Sequence, residues 1–135
     1  MSVNYVVPFK VNGLQIPIRT QVALARVYCA ENQVKFTLPT SESWYDQSFS
    51  ILKSHIKQGA KDIIVYSQLL LCHENCMNIL KKNEHEIIRN QITFHITFNG
   101  KQLSYYSLTE EIRQKMRHSN FAMPLSSVLS LRGFI

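Results

Sequence analysis

Residues 92–106 read ITFHITFNGKQLSYY, an alternating segment that turns at Asn99-Gly100. Asn-Gly is a strong short-range signal for a β-hairpin, because both residues readily accept positive φ. The alternation is typical of an antiparallel sheet that has one covered face and one exposed face. We therefore expect a hairpin whose apolar face consists of Ile92, Phe94, Ile96, Phe98, Leu103 and Tyr105.

A second Asn-Gly pair, Asn12-Gly13, lies between two further alternating segments near the N-terminus. The cross-strand pairs that it predicts are Val11–Leu14, Phe9–Ile16 and Val7–Ile18. This register also places Pro8 opposite Pro17, and proline has no N–H with which to extend a sheet. We therefore expect residues 1–20 to form a peripheral hairpin or arm.

The middle of the chain alternates between strand and helix patterns. Residues 20–30 fit either spacing, and we favour strands over residues 22–28 and 32–38. A helix is expected over residues 41–58, with Tyr45, Phe49, Leu52 and Ile56 as its buried stripe. A short strand over residues 62–66 precedes a helix that begins after Ser67, and a further helix covers residues 109–118.

These elements predict an α+β fold in which antiparallel hairpins carry two to four helices on one face. The 135 residues fit a single domain, with residues 121–135 as an apolar C-terminal tail that docks on the core or on a neighbour. The apolar runs at residues 63–66 and 69–72 are far shorter than the roughly 20 residues of a membrane span. Three cysteines and no N-terminal signal pattern favour an intracellular location, cytoplasmic or nuclear.

The formal charge of +6 is unevenly distributed along the chain. Residues 1–40 hold four basic side chains against one acidic, residues 91–135 hold five against two, and residues 41–90 hold six of each. A surface that brings the two ends together would attract nucleic acid or another anionic partner.

Regularly spaced cations are the candidates for binding that partner. Helix-like spacing relates Lys53, Lys57 and Lys61, and also Arg113 and Arg117. Such ridges are usually solvated faces, and Glu110 and Glu111 suit the helix dipole without any ligand. Tyr105 and Tyr106 lie close to Lys101 and could stack on bases. The full candidate set is Lys53, Lys57, Lys61, Lys101, Arg113, Lys115 and Arg117.

His95 is the candidate general base if the protein is an enzyme. The alternation places it on the exposed face of the second hairpin, flanked by Thr93 and Thr97 and opposite Ser104. No carboxylate is expected on that face. A hydrogen-bonded or solvated strand histidine is the interpretation that we favour.

The string Cys72-His73-Glu74-Asn75-Cys76 is a candidate half-site for a metal, with Cys72, His73 and Cys76 as ligands. Structural zinc normally needs four ligands from two such pairs, and the second pair is missing. We favour two buried thiols, since free cysteine packs as a small hydrophobe. No cofactor is predicted.

The functional hypothesis is a non-catalytic basic binding and assembly protein. It would self-associate as a homo-oligomer, through the N-terminal hairpin or the C-terminal tail, and engage nucleic acid. One alternative is an inhibitor or adaptor that binds an acidic protein. Another is a small metal-independent nuclease that uses His95.

Overall fold

Five strands form one sheet in the computed structural model, which describes the backbone of residues 1–122 and the side chains of residues 1–117. The strands are Ser2–Val6 (β1), Pro39–Ser41 (β2), Asp62–Val65 (β3), Thr93–Ile96 (β4) and Gln102–Leu103 (β5). Their order across the sheet is β2-β1-β3-β4-β5. The chain places β2 on one side of β1, and then β3 and β4 on the other side. Strands added in both directions from the first one make this a doubly wound arrangement.

In the described part of the chain, five α-helices accompany the sheet. They are Ile18–Asn32 (α1), Ser50–Lys57 (α2), Glu74–Lys82 (α3), Glu84–Arg89 (α4) and Tyr105–Ala122 (α5). A short 3₁₀ turn covers Gln68–Leu71. Within the described residues, no helix combines the length and the hydropathy needed to cross a bilayer.

The sheet is mostly parallel, so the predicted antiparallel architecture is wrong for four of its five strands. β1 pairs in parallel with both β2 and β3, and β3 pairs in parallel with β4. Only β5 runs antiparallel, against β4. Parallel neighbours require a crossover connection, and helices supply each one here.

Helices cover both faces of the sheet, which corrects the prediction of one covered face. The larger core joins Ile63, Val65 and Phe94 to residues of α2, α3, α4 and α5. The smaller core packs Ala25, Tyr28 and Cys29 of α1 on Ile64. Successive strand residues point to opposite faces, so Ile64 lies on the α1 face while its neighbours lie on the other.

The segment over residues 20–30 is helix α1, and the predicted strands over residues 22–28 and 32–38 are wrong. Its buried residues Gln21, Ala25, Tyr28 and Cys29 follow helical spacing. One of them is polar, and Val27 is 50% exposed, so the apolar pattern of this helix is weak. The strand that follows begins only at Pro39.

The N-terminal hairpin forms only at its turn. Val11 and Leu14 exchange two backbone hydrogen bonds of 2.9 Å around Asn12-Gly13, as predicted, but no strand extends from this bridge. Residues 2–6 instead form β1 between β2 and β3, so the prediction of a peripheral arm is wrong.

A buried glutamine explains why the pairing stops there. The Gln21 amide accepts a hydrogen bond from the Val7 N–H (3.2 Å) and donates to the carbonyls of Val7 (2.8 Å) and Ile16 (2.9 Å). These backbone groups are therefore not available for a β-ladder.

The predicted helix over residues 41–58 begins later, at Ser50. Phe49, Leu52 and Ile56 are fully buried as expected, whereas Tyr45 lies in the preceding loop and is 98% exposed. Glu42 still serves the helix, because its carboxylate accepts hydrogen bonds from the backbone N–H groups of Ile51 (3.2 Å) and Leu52 (2.9 Å). A carboxylate stabilises a helix N-terminus by satisfying these donors.

Candidate functional site

The seven basic side chains predicted to bind an anion are exposed but lie in separate parts of the fold. Lys53 and Lys57 are on α2, Lys61 precedes β3, Lys101 precedes β5, and Arg113, Lys115 and Arg117 are on α5. The structure therefore groups two of them on α2 and three on α5, and leaves Lys61 and Lys101 apart from both groups.

Three of these cations already have acidic partners. The ion pairs are Lys57–Glu86 (2.9 Å), Lys101–Glu111 (3.3 Å) and Arg113–Glu110 (3.0 Å). Within residues 1–117, no acidic side chain lies within 4.0 Å of the charged groups of Lys53, Lys61, Lys115 or Arg117. Exposed pairs contribute little to stability, so an anionic ligand can replace the acidic partner at small cost.

A groove between α3 and α5 brings two of the predicted cations together with one that the sequence did not single out. A cavity of about 440 Å³ is lined by Lys81 of α3 and by Arg113 and Arg117 of α5. It adjoins a second cavity, of about 680 Å³, which shares Lys81 and Arg113 and ends at Tyr106. We call the surface formed by Lys81, Arg113, Arg117 and Tyr106 the α3–α5 groove.

Acidic residues also line the groove, and protein donors occupy two of them. Glu84 accepts a hydrogen bond from the Tyr105 hydroxyl (3.0 Å). Glu110 accepts from Arg113 (3.0 Å) and from Gln114 (3.1 Å). Lys81 forms no ion pair with any residue from 1 to 117. Glu74 also lines the 440 Å³ cavity and forms no ion pair within residues 1–117. The local attraction for an anion therefore comes from Lys81 and Arg117, and the charge of Glu74 offsets part of it.

Tyr106 offers an aromatic face at the end of the groove. It is 65% exposed, whereas its neighbour Tyr105 is buried. The two rings meet edge to face, with centroids 5.4 Å apart. Burial, followed by the hydrogen bond to Glu84, raises the pKa of Tyr105 to about 12. Tyr105 thus stays a neutral donor, and it supports the exposed ring from one side.

His95 lies in a different environment from the one predicted. It is only 4% exposed, because Tyr28 of α1 covers it. The Tyr28 hydroxyl lies 2.6 Å from Nδ1, and an Asp62 carboxylate oxygen lies 2.7 Å from Nε2. The expectations of an exposed face and of no nearby carboxylate are both wrong, and Gln102 rather than Ser104 is the residue paired with His95.

The chain of hydrogen bonds Tyr28–His95–Asp62 ties α1 to two strands. All three groups are satisfied when the Tyr28 hydroxyl donates to Nδ1 and the Nε2–H donates to Asp62. Burial raises the pKa of Tyr28 above its usual value, which keeps the phenol protonated. Parallel pairing of β3 with β4 brings Asp62 to His95, so an antiparallel interpretation could not find this contact. Both ring nitrogens are occupied, and a substrate would have to displace a partner to reach them.

A second buried histidine, His55, has only one of its ring nitrogens bonded. Its Nε2 lies 2.7 Å from the Thr40 hydroxyl, which itself donates to the Asn4 carbonyl (3.0 Å). Its Nδ1 is buried and has no hydrogen-bond partner among the residues that the structure describes. Burial lowers the pKa of His55 below its usual value.

The two cysteines of the candidate metal half-site are buried, which confirms the interpretation that we favoured. Cys72 and Cys76 both belong to the larger core. Burial raises the pKa of Cys72 to about 11 and that of Cys76 well above its usual value. His73 caps α3, since its Nδ1 accepts the Asn75 N–H (3.0 Å). Over the described part of the chain, no group of three or more potential ligands is placed to hold a metal ion.

No protein-family model matches the chain, and no curated protein is significantly similar to it.

Proposed function

We propose that this protein binds single-stranded nucleic acid along the α3–α5 groove. The observation that carries the proposal is the exposed ring of Tyr106 at the end of a groove that also bears Lys81, Arg113 and Arg117. Proteins bind single strands by stacking bases on aromatic side chains while cations follow the phosphates. The net charge of +6 adds a long-range attraction to the same ligand.

The exposed ring of Tyr106 favours a single strand over a duplex as the ligand. A duplex would hide the base faces that Tyr106 needs for stacking. We therefore assign the ligand as unpaired RNA or DNA.

Phosphate contacts are tested by measuring affinity for a labelled eight-nucleotide strand by fluorescence anisotropy over a salt series. Affinity should fall as salt rises, with a slope of roughly −0.7 for each phosphate contact. Lys81→Gln and Arg117→Gln should each make the slope shallower by that amount, on any base sequence.

Lys53→Gln is the matched control, because Lys53 is an exposed cation without an ion pair and lies on α2. An equal loss of affinity in this variant would contradict a role for the groove. No binding even at low salt would contradict the proposal as a whole, and an acidic protein would become the partner to test.

Stacking is tested by Tyr106→Leu, which removes the aromatic face but keeps an apolar side chain. Loss of one stacked base costs about 1–3 kcal/mol, so affinity should fall at least fivefold. Tyr45→Leu is the control, since Tyr45 is 98% exposed in the loop before α2. The result that would oppose stacking is an equal and small effect of both variants.

Self-association remains part of the proposal. β1 is paired on both sides, so it offers no open edge to a second copy. The predicted apolar tail covers residues 121–135, and residues 123–135 lie outside the described part of the chain. Deletion of residues 133–135 should lower the mass measured by light scattering if this tail joins copies, and an unchanged mass would refute that route.

A further inference from the structure

A third cavity, of about 440 Å³, adjoins the α3–α5 groove at Tyr106. Tyr105 and Tyr106 line this cavity and also the 680 Å³ cavity of the groove. Its volume falls within the range of roughly 300–1,000 Å³ that is typical of small-ligand pockets. A strand that passes along the groove therefore reaches this cavity at the point where its base stacks on Tyr106.

The lining combines apolar walls with a few polar groups. Ile87 and Ile92 are buried, and Ile88 is 40% exposed. Gln91, Thr93 and Ser104, whose side chains carry an amide and two hydroxyl groups, belong to the same lining. Apolar walls with a small number of polar groups suit a flat, aromatic ligand that has hydrogen-bonding edges. A nucleobase has this chemistry.

The backbone of Gln91 adopts an unusual conformation. Gln91 follows α4 with φ +51°, a left-handed conformation that glycine normally occupies at a helix end. The Gln91 N–H donates to the Ile88 carbonyl (3.1 Å), and the Ile92 N–H donates to the Ile87 carbonyl (3.0 Å). A long amide side chain at this position carries a conformational penalty that glycine would avoid. Such outliers are common at ligand sites.

We propose that this cavity accepts an adenine base, with the Gln91 amide on its hydrogen-bonding edge and Tyr106 on its face. A glutamine amide presents a donor and an acceptor side by side, and adenine presents the complementary pair. The ligand is either a base of the strand bound in the groove or a free adenine nucleotide. The first of these sources rests on the function proposed above.

α1 is also followed by a glutamine with positive φ, and this residue provides a matched control. Gln33 follows α1 with φ +56°, is exposed, and lines none of the cavities described above. Replacement of either glutamine by glycine relieves the same conformational penalty. Of the two, only Gln91 lines the cavity, so only Gln91→Gly removes an amide side chain from its lining.

The experiment compares affinities for labelled oligo-A and oligo-U of eight nucleotides in wild type, Gln91→Gly and Gln33→Gly. Both variants should melt at a higher temperature than wild type. Wild type and Gln33→Gly should prefer oligo-A by roughly fivefold or more, since a bidentate base contact discriminates by about that factor. Gln91→Gly should lose this preference while it keeps its affinity for oligo-U. If Gln91→Gly raises the melting temperature but removes the preference for oligo-A, a merely structural role of Gln91 is excluded.

Adenosine monophosphate separates the two sources of the base. If the nucleotide shifts the methyl resonances of Ile87, Ile88 and Ile92, the cavity accepts a free nucleotide, and this result stands even if no oligonucleotide binds and the groove proposal fails. If only oligo-A shifts them, the strand is the source. An oligo-A preference that persists in Gln91→Gly, or that is lost equally in Gln33→Gly, overturns the adenine site and leaves binding along the groove intact.

Discussion

His95 and His55 are both buried, yet they are held in different ways. His95 is bonded at both ring nitrogens, between Tyr28 and Asp62. His55 is bonded at Nε2 alone, and its Nδ1 faces no partner. A buried polar atom costs free energy unless a hydrogen bond compensates it. We therefore expect His95 to stabilise the fold and His55 to contribute much less.

The largest expected effect is that of His95→Leu. This change leaves the buried Tyr28 hydroxyl without its partner and separates α1 from Asp62, so the free energy of unfolding should fall by about 3 kcal/mol. Urea denaturation measures the change. His85→Leu, at an exposed position of α4, should change stability by no more than about 0.5 kcal/mol. Equal effects of the two changes would show that the bonds of His95 contribute nothing.

A smaller effect is expected when Tyr28→Phe removes one bond from His95. His95 then resembles His55, because its Nδ1 loses its partner while its Nε2 bond remains. The expected loss is about 1–2 kcal/mol in the free energy of unfolding. Tyr106→Phe is the control, since Tyr106 is 65% exposed. If Tyr28→Phe is as stable as wild type, the comparison between the two histidines fails.

The smallest effect concerns the pH dependence of stability, to which His55 contributes. Its pKa in the folded protein is lowered by burial, so the unfolded chain takes up a proton first as the pH falls. Stability is therefore intact above the unfolded pKa near 6.5 and declines as the pH falls below that value, until the folded pKa is reached. His55→Leu should show a shallower decline below pH 6.5. Parallel curves for wild type and variant would contradict a buried, neutral His55.

Local patterns predicted local structure correctly. Asn12-Gly13 closes the Val11–Leu14 bridge. Ser67 does act as a cap, but of a four-residue 3₁₀ turn, and the helix predicted to follow it begins only at Glu74. The buried stripe at Phe49, Leu52 and Ile56 was also found. These features depend on residues close together in the chain, so periodicity and turn chemistry are sufficient to identify them.

The second Asn-Gly turn shows where local patterns stop being informative. It joins β4 to β5, but the register pairs Phe94 with Leu103, so a five-residue connection replaces the two-residue turn. Phe98, expected on the apolar face, is 66% exposed and packs against Tyr66. Strand register depends on the neighbouring strand as well as on the dipeptide at the turn.

The candidate site was predicted only in part. The basic ridge on α5 and the adjacent tyrosines indicated Arg113, Arg117 and Tyr106. Lys81 comes from α3 and Gln91 from the turn after α4, and their proximity to Tyr106 depends on packing that no spacing in the sequence encodes. The strand order could not be predicted from the sequence either. It depends on residues 18–32 forming a helix, and the helical pattern of this segment is weak because one of its buried residues is the polar Gln21.

The position of β1 between two later strands matters while the ribosome is still synthesising the chain. β1 is synthesised first, yet its two neighbours lie at residues 39–41 and 62–65. Both edges of β1 stay open until those residues have left the exit tunnel, and non-local parallel pairing forms slowly. During this interval the nascent chain displays an unpaired strand that carries Val3, Tyr5 and Val6. The next element in the growing chain is α1, which packs on one face of β1 without pairing to its edges.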